Sequence, residues 1–242
     1  RAGERIRLRL VNAANARLFE LRFQSHRPVL IARDGHPLNP RNVDFIELGP
    51  AQRADLIVDM TGKPGESFRV LDTFFPQAPE PLARFVYVDN PLRDNTLDAN
   101  MALPSNPIPQ PDLSDPQRET IDLEGGDLGQ MRSARFNDER LNRAQLYIRG
   151  KMWAMNGEVF SGGYGGLDPI FTVNRGRTVL LRFRNHTAWP HPMHLHGHSF
   201  RVLDYPSRRE LIGAWLDTIV VHPEEEALVA FVADNPGDWL FH

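Results

Sequence analysis

The sequence predicts an all-β fold built from two related domains. Three observations carry that expectation. Apolar residues recur with a period of two, prolines number 20 in 242 residues, and one half of the chain can be laid on the other at a fixed offset. A period of two marks strands with one buried face. Proline lacks a backbone donor and breaks helices, and this level exceeds the usual ~5%, so short strands and turns are favoured.

Taken in order, Ile6, Leu8 and Leu10 alternate with Arg5, Arg7 and Arg9. Phe19, Leu21 and Phe23 then alternate with Glu20 and Arg22. Further strands are predicted at Val29–Ala32, Asp55–Val58, Phe68–Leu71 and Phe85–Val88. Residues 90–117 carry Pro91, Pro104, Pro107, Pro109, Pro111 and Pro116 and read as a linker in partly polyproline form. Strand patterns resume at Thr120–Leu123, Tyr147–Ile148, Ile170–Val173, Val179–Phe183, Phe200–Leu203, Ile219–Val221 and Leu228–Val232. Residues 124–143 are charged without alternation and read as a surface loop or short helix. Gly162, Gly163, Gly165 and Gly166 form a flexible loop without the strand–helix context of a phosphate cradle.

The offset is 173. Gly3 to Asn12 lines up with Gly176 to Asn185, and Pro50 with Asp55–Met60 lines up with Pro223 and Leu228–Ala233. Pro64-Gly65-Glu66 matches Pro236-Gly237-Asp238 after a one-residue slip. Two matches in order at one offset describe a repeated domain. The predicted division is a partial domain over 1–89, the linker over 90–117, and a second domain over 118–242. Each copy has strands that the other lacks, and the chain opens on Arg1 without a Met, so both ends are expected to be cut.

A formal charge of −3 (28 Lys+Arg, 31 Asp+Glu) leaves no basic face for nucleic acid. No apolar run nears the ~18 residues of a membrane span. Cysteine is absent, which excludes disulfides, thiolate metal sites and thiol nucleophiles within these residues.

Four of the nine histidines fall in eight residues, His191-Pro-Met-His194-Leu-His196-Gly-His198. Alternate strand residues share a face ~7 Å apart, so His194 and His196 present two imidazoles together. Pro192 is expected to prevent regular pairing there and let His191 diverge to a second site. Imidazole suits copper, zinc, iron and nickel, with copper(II) bound most tightly. Four clustered imidazoles carry a desolvation cost that metal or solvent must offset. His26, His36, His186 and His222 stand alone and read as ordinary hydrogen-bonded side chains. The matching stretch of the first copy, Phe19–Phe23, has no histidine, so one copy binds metal and the other is scaffold.

The octapeptide and the Ser-Phe-Arg-Val-Leu203 that follows it resemble the third histidine motif of the multicopper oxidases, which include laccases, bilirubin oxidases and cuprous or ferrous oxidases. Trp215-Leu-Asp-Thr-Ile-Val220, Asp234-Asn-Pro-Gly-Asp-Trp-Leu-Phe-His242 and Trp153-Ala-Met-Asn-Gly157 resemble neighbouring family segments. The resemblance implies two cupredoxin-like Greek-key β-sandwich or barrel domains, both truncated. It implies copper as the cofactor, four ions in a complete protein. His191 would ligate a type 1 copper, His194 the type 2 copper, and His196 and His242 type 3 coppers. His198 matches no family ligand. Asp217 stands to orient a ligand histidine or meet the substrate, with an exposed strand-end acid as the equal alternative. Trp189 and Met193 read as packing.

The type 1 cysteine would be the residue after His242, and the first domain, with its His-x-His motifs, would be needed to complete the cluster. The implied activity is therefore that of a parent oxidase, passing single electrons from a phenol or metal ion to dioxygen. The 242 residues alone are expected to be inactive, with His194, His196 and His242 able to hold one adventitious ion. Implied partners are dioxygen, a small reducing substrate and the missing first domain, and the implied location is periplasmic or extracellular. The alternatives are a copper-type nitrite reductase relative and a non-catalytic copper-binding β-domain. A cupin dioxygenase lacks its Glu, since Phe200 and Arg201 follow the histidines, and a zinc hydrolase lacks its Asp-His at His198-Ser199.

Overall fold

The computed structural model describes residues 1–93, 101–162 and 169–242. It divides into two compact units, Arg1–Pro107 and Ile108–His242.

In the first unit the strands are β1 (Arg5–Val11), β2 (Phe19–Phe23), β3 (Val29–Arg33), β4 (His36–Asn42), β5 (Ile46–Leu48), β6 (Arg53–Asp59), β7 (Ser67–Asp72) and β8 (Glu80–Val86). They form two open four-stranded sheets, ordered β1-β6-β3-β4 and β5-β2-β7-β8. Both sheets feed one core, where Leu30, Leu56 and Val58 meet Leu21, Ile46 and Val70. The period-two pattern explains this. Ile6, Leu8 and Leu10 pack on the core, while Arg5 turns outward and grips Asp59 on β6 with bonds of 2.6 and 2.7 Å.

In the second unit come β9 (Gln117–Gly125), β10 (Ser133–Phe136), β11 (Glu139–Asn142), α1 (Arg143–Ile148), β12 (Trp153–Met155), β13 (Thr178–Asn185), β14 (His191–His194), β15 (Phe200–Asp204), β16 (Trp215–Leu216), β17 (Thr218–Val221) and β18 (Glu226–Val232). The main sheet is ordered β12-β9-β13-β18-β15-β16, and β14 pairs with β17 in a separate two-stranded ribbon. The β9–β13 pair is parallel, and the other pairs are antiparallel. The fold is all-β, as the sequence predicts, with open sheets and no closed barrel among the described residues.

The repeat is visible bond by bond. Gly3 N donates to Met60 O, and 173 residues on Gly176 N donates to Ala233 O. Asn12 N to Gln52 O and Ala51 N to Asn12 O recur as Asn185 N to Glu225 O and Glu224 N to Asn185 O. Ala51 and Glu224 even share a positive φ, 66° and 58°. The β1–β6 register, Arg5 opposite Asp59, recurs as Thr178 opposite Val232.

Several elements differ from expectation. Tyr147–Ile148 lie in a helix, because Asn142 and Gln145 form a reciprocal capping box that starts one. Residues 124–143 contain the hairpin of β10 and β11. Ile170–Val173 are not a strand; β9 takes the place beside β13, and Gln117 Nε2 bonds Thr172 O at 2.9 Å. The strand predicted at Phe85–Val88 lies earlier, at Glu80–Val86, and Tyr87 turns into the core. β4 carries Pro37 and Pro40, which its place at a sheet edge tolerates. Residues 101–116 hold no helix or strand. Of the glycine loop, Gly163, Gly165 and Gly166 lie outside the described residues.

Candidate metal centre

The strand β14 puts His191 and His194 three residues apart, hence on opposite faces. Pro192 does not prevent pairing. It stands opposite Val220 in regular register, with His191 opposite Val221 and His194 opposite Thr218. In a two-stranded ribbon the missing N–H of proline can face the free edge.

The strand ends at His194, but Leu195 bridges Phe241 and carries the alternation on. His194 N donates to His242 O at 2.7 Å and His242 N returns to His194 O at 3.1 Å, while His196 N bonds Leu240 O at 3.0 Å. That pairing lays His242 beside the motif. The local sequence explains why. Gly197 has φ +74°, and a Cβ there would lie 2.2 Å from the Trp239 indole. Only glycine lets the indole seat there. Trp239 Nε1 bonds Asn235 O at 2.9 Å and Asn235 Nδ2 bonds Gly197 O at 3.1 Å, so the Asn-Pro-Gly-Asp-Trp segment closes on the motif.

The result is a cluster of three imidazoles. Ring centroids are 4.8 Å apart for His194 and His196, 5.6 Å for His194 and His242, and 5.2 Å for His196 and His242. The Nε2 atoms of His196 and His242 approach to 3.1 Å. Two bare lone pairs at that distance repel, so the contact needs a shared hydrogen or a cation. Partial burial first, then the charges of His194 and His196, hold the His242 imidazole below the usual histidine value. Among the described residues no three of His, Cys, Asp or Glu are arranged to hold a single ion. This corrects the expectation of one adventitious three-histidine site. The rings pack against one another rather than converge on one point.

His194 Nδ1 is tied down on the side away from the cluster. It lies 3.0 Å from Asp217 O, 2.9 Å from Thr218 Oγ1 and 3.5 Å from the Asp217 carboxylate. Thr218 Oγ1 in turn donates to Asp217 Oδ1 at 2.8 Å. Asp217 is therefore partly buried and engaged with His194, and it lines an open recess with His194, His196, His198 and Ser199. A carbonyl or carboxylate on the outer nitrogen is the usual support of a metal-binding histidine.

His191 stands apart from this cluster. Burial pushes its imidazole down to about 4, so it is neutral at physiological pH. Its Nε2 lies 2.9 Å from Thr187 Oγ1, and Trp153 packs edge-on at 4.8 Å. Gly126 lies under Trp153 and Trp189, both indoles being exposed. Exposed Trp189 is not core packing, whereas Met193 is buried. His198 is bonded within the fold, accepting from Asn235 N at 3.4 Å and packing on Phe231 and Trp239. The lone histidines are also engaged: His26 with Tyr87, His36 with Asn106, His186 with Asp122 and His222 with Arg208. Sequence reading missed Thr187 and Thr218. The repeat could have flagged Thr187, because its counterpart is Ala14.

The donor set fits copper. Burial keeps His191 neutral and His194 Nδ1 is fixed on the Asp217 carbonyl, and neutral imidazoles supported in this way are competent ligands for that ion.

Residues 116–242 match a family profile described as Multicopper oxidase, and residues 1–84 match a second of the same description. Multicopper oxidase MmcO of Mycobacterium tuberculosis (strain ATCC 25618 / H37Rv) is 29% identical across 99% of this chain and 43% of its own length. Laccase-1 of Melanocarpus albomyces is 27% identical across 99% of this chain and 45% of its own length. A solved multi-copper oxidase from Pseudomonas Thermotolerans superposes with a TM-score of 0.74 at 31% identity, covering 100% of this chain and 51% of that one. The chain spans less than half the length of these curated relatives.

Proposed function

The chain belongs to the multicopper oxidase family, and on that premise we propose that its second unit supplies copper ligands to an oxidase. The whole protein takes single electrons from a reducing substrate, a phenol or a metal ion, and reduces dioxygen to water. His191 would hold the type 1 copper, His194 the type 2 copper, and His196 and His242 type 3 coppers. The remaining ligands, a cysteine among them, would come from residues outside these 242. Copper bound there supplies one-electron chemistry at both ends of the reaction.

The chain's own residues do the positioning. His191 and His194 sit on opposite faces of one strand, so a single short backbone joins an electron-entry site to the dioxygen site. Asp217 and Thr218 hold His194 from behind, and Asp217 borders the recess that His194 and His196 also line. The cupredoxin-like units would have Greek-key connections. Among the described residues no helix is long and apolar enough to cross a membrane, and the proposed location is periplasmic or extracellular.

The observation that carries this reading is the separation of His191 from the three-ring cluster. In the whole protein, His191→Ala is expected to abolish the intense visible band of a thiolate-bound type 1 copper, while His194→Ala spares it. Equal loss of the band in both variants would overturn the assignment.

A further inference from the structure

We propose that Thr187 is a positioning residue for His191, holding the ring by its Nε2–H so that Nδ1 is the nitrogen offered to a ligand. The argument rests on which atoms can donate. Thr187 Oγ1 lies 2.8 Å from Asn185 Oδ1 and 3.0 Å from Trp189 O, both of which only accept. Two oxygens at 2.8 Å repel unless a hydrogen lies between them, and only the threonine hydroxyl has one to give. Once that hydrogen is spent on Asn185 Oδ1 or Trp189 O, Oγ1 serves as an acceptor. It accepts from Trp189 N at 3.1 Å and, at 2.9 Å, from His191 Nε2. His191 must then carry its hydrogen on Nε2.

His194 is held the opposite way. Its Nδ1 faces Asp217 O and a Thr218 hydroxyl already committed to the Asp217 carboxylate. Its hydrogen belongs on Nδ1, which leaves Nε2 as the ligating nitrogen. Two histidines on one strand thus turn different nitrogens outward, His191 because of Thr187 and His194 because of the Asp217 carbonyl and Thr218.

The first unit supplies an internal comparison. There Asn12 makes the same bracket as Asn185, its Nδ2 reaching Arg17 O and Leu48 O and its Oδ1 accepting from Ala14 N. Asn185 Nδ2 reaches Trp189 O and Val221 O, and its Oδ1 accepts from Thr187 N. The loop that follows is one residue shorter in the second unit, and the buried pair Leu21 and Met193 then aligns His191 with Phe19. So the asparagine is common to both copies, whereas the hydroxyl and the imidazole occur together in one.

The proposal rests on His191 being a copper ligand only for its purpose; the ring's hydrogen is read without metal. In the metal-free whole protein, labelled with nitrogen-15 histidine, long-range proton–nitrogen spectra at neutral pH should place the hydrogen of His191 on Nε2 and that of His194 on Nδ1. Thr187→Val should speed exchange of the His191 Nε2–H with water at least tenfold. Thr187→Ser should restore it, and the His194 signal should stay unchanged in both as the control for folding. A hydrogen on Nδ1 of His191 in the unsubstituted protein would overturn the proposal, whether or not the valine variant folds. So would an exchange rate that Thr187→Val leaves within twofold. Copper uptake by the unsubstituted protein separately tests the reading of His191 as a ligand.

Discussion

Asp72 and Asp122 show how much a single carboxylate does in each unit. Burial by itself would raise both. At Asp72 it is outweighed by Arg17 Nη2 at 2.7 Å and the N–H groups of Phe74 at 3.0 Å and Glu20 at 3.1 Å. At Asp122 it is outweighed by Arg184, at 2.6 and 2.8 Å, and by His186 at 3.0 Å. Both folded carboxyls therefore ionise below the unfolded value of about 3.9. A depressed pKa contributes stability that is present in full above the unfolded value and is lost as pH falls through the folded one. The part of the urea midpoint carried by these two carboxylates should hold steady from neutrality to about pH 5 and fall below about pH 4. It sits on top of a decline that begins near pH 6.5, as unfolding lets the buried His191 take up a proton. Asp72→Asn and Asp122→Asn should flatten that acid limb and cost on the order of 1 kcal/mol at pH 7, discounted because Arg17 and Arg184 are partly exposed. An acid limb as steep in both variants as in the parent would refute the assignment. At this scale the histidine motif was legible, because four imidazoles in eight residues have few other uses. Thr187 and Thr218 were not, since a hydroxyl gains meaning only when the fold sets its donor and acceptor neighbours.

At the scale of elements, the Asn12 and Asn185 brackets each tie the loop after a long strand to a strand 36 residues on. Both side chains are buried, 3% and 1% exposed, so their partners have no water to turn to. Asn12→Ala and Asn185→Ala should each destabilise by about 3 kcal/mol, by removing the amide that bonds two carbonyls and one N–H in each bracket. Only Asn185→Ala should also loosen His191, through Thr187. Denaturant unfolding tests the first claim, and a loss under about 1 kcal/mol would show that water replaces the amide. Long alternating strands such as β1, β6 and β13 were readable because their apolar faces dominate their pattern. β4 was hidden by Pro37 and Pro40, β5 by its three residues, and α1 by Tyr147 and Ile148. Those two side chains are exposed and do not decide the helix, whereas the Asn142–Gln145 cap and buried Leu146 do. The parallel place of β9 beside β13 depends on a partner 62 residues away in sequence and leaves no local signal.

Across the whole molecule, one repeated framework serves two purposes. The first unit fills the strand equivalent to β14 with Phe19, Leu21 and Phe23 and spends it on core packing. The second keeps Met193 and Leu195 buried and puts His194 and His196, the proposed ligands, at the alternate positions. A ligand stabilises only the structure that its site requires, by RT ln(1 + [L]/Kd), about 2.7 kcal/mol or ~100-fold in opening at a hundredfold excess over Kd. Copper should therefore slow amide exchange in the second unit selectively. The N–H of Leu195 on Asp217 O and that of His242 on His194 O are the reporters, because both join the segments that carry the rings. Their exchange in the copper-loaded whole protein should slow by up to ~100-fold over the metal-free form. The N–H of Asn12 on Gln52 O and that of Thr73 on Glu20 O report the first unit and should change less than about twofold. Equal slowing in both units would mean that the ion acts on the molecule as a whole. The division into one liganded copy and one packed copy would then be wrong.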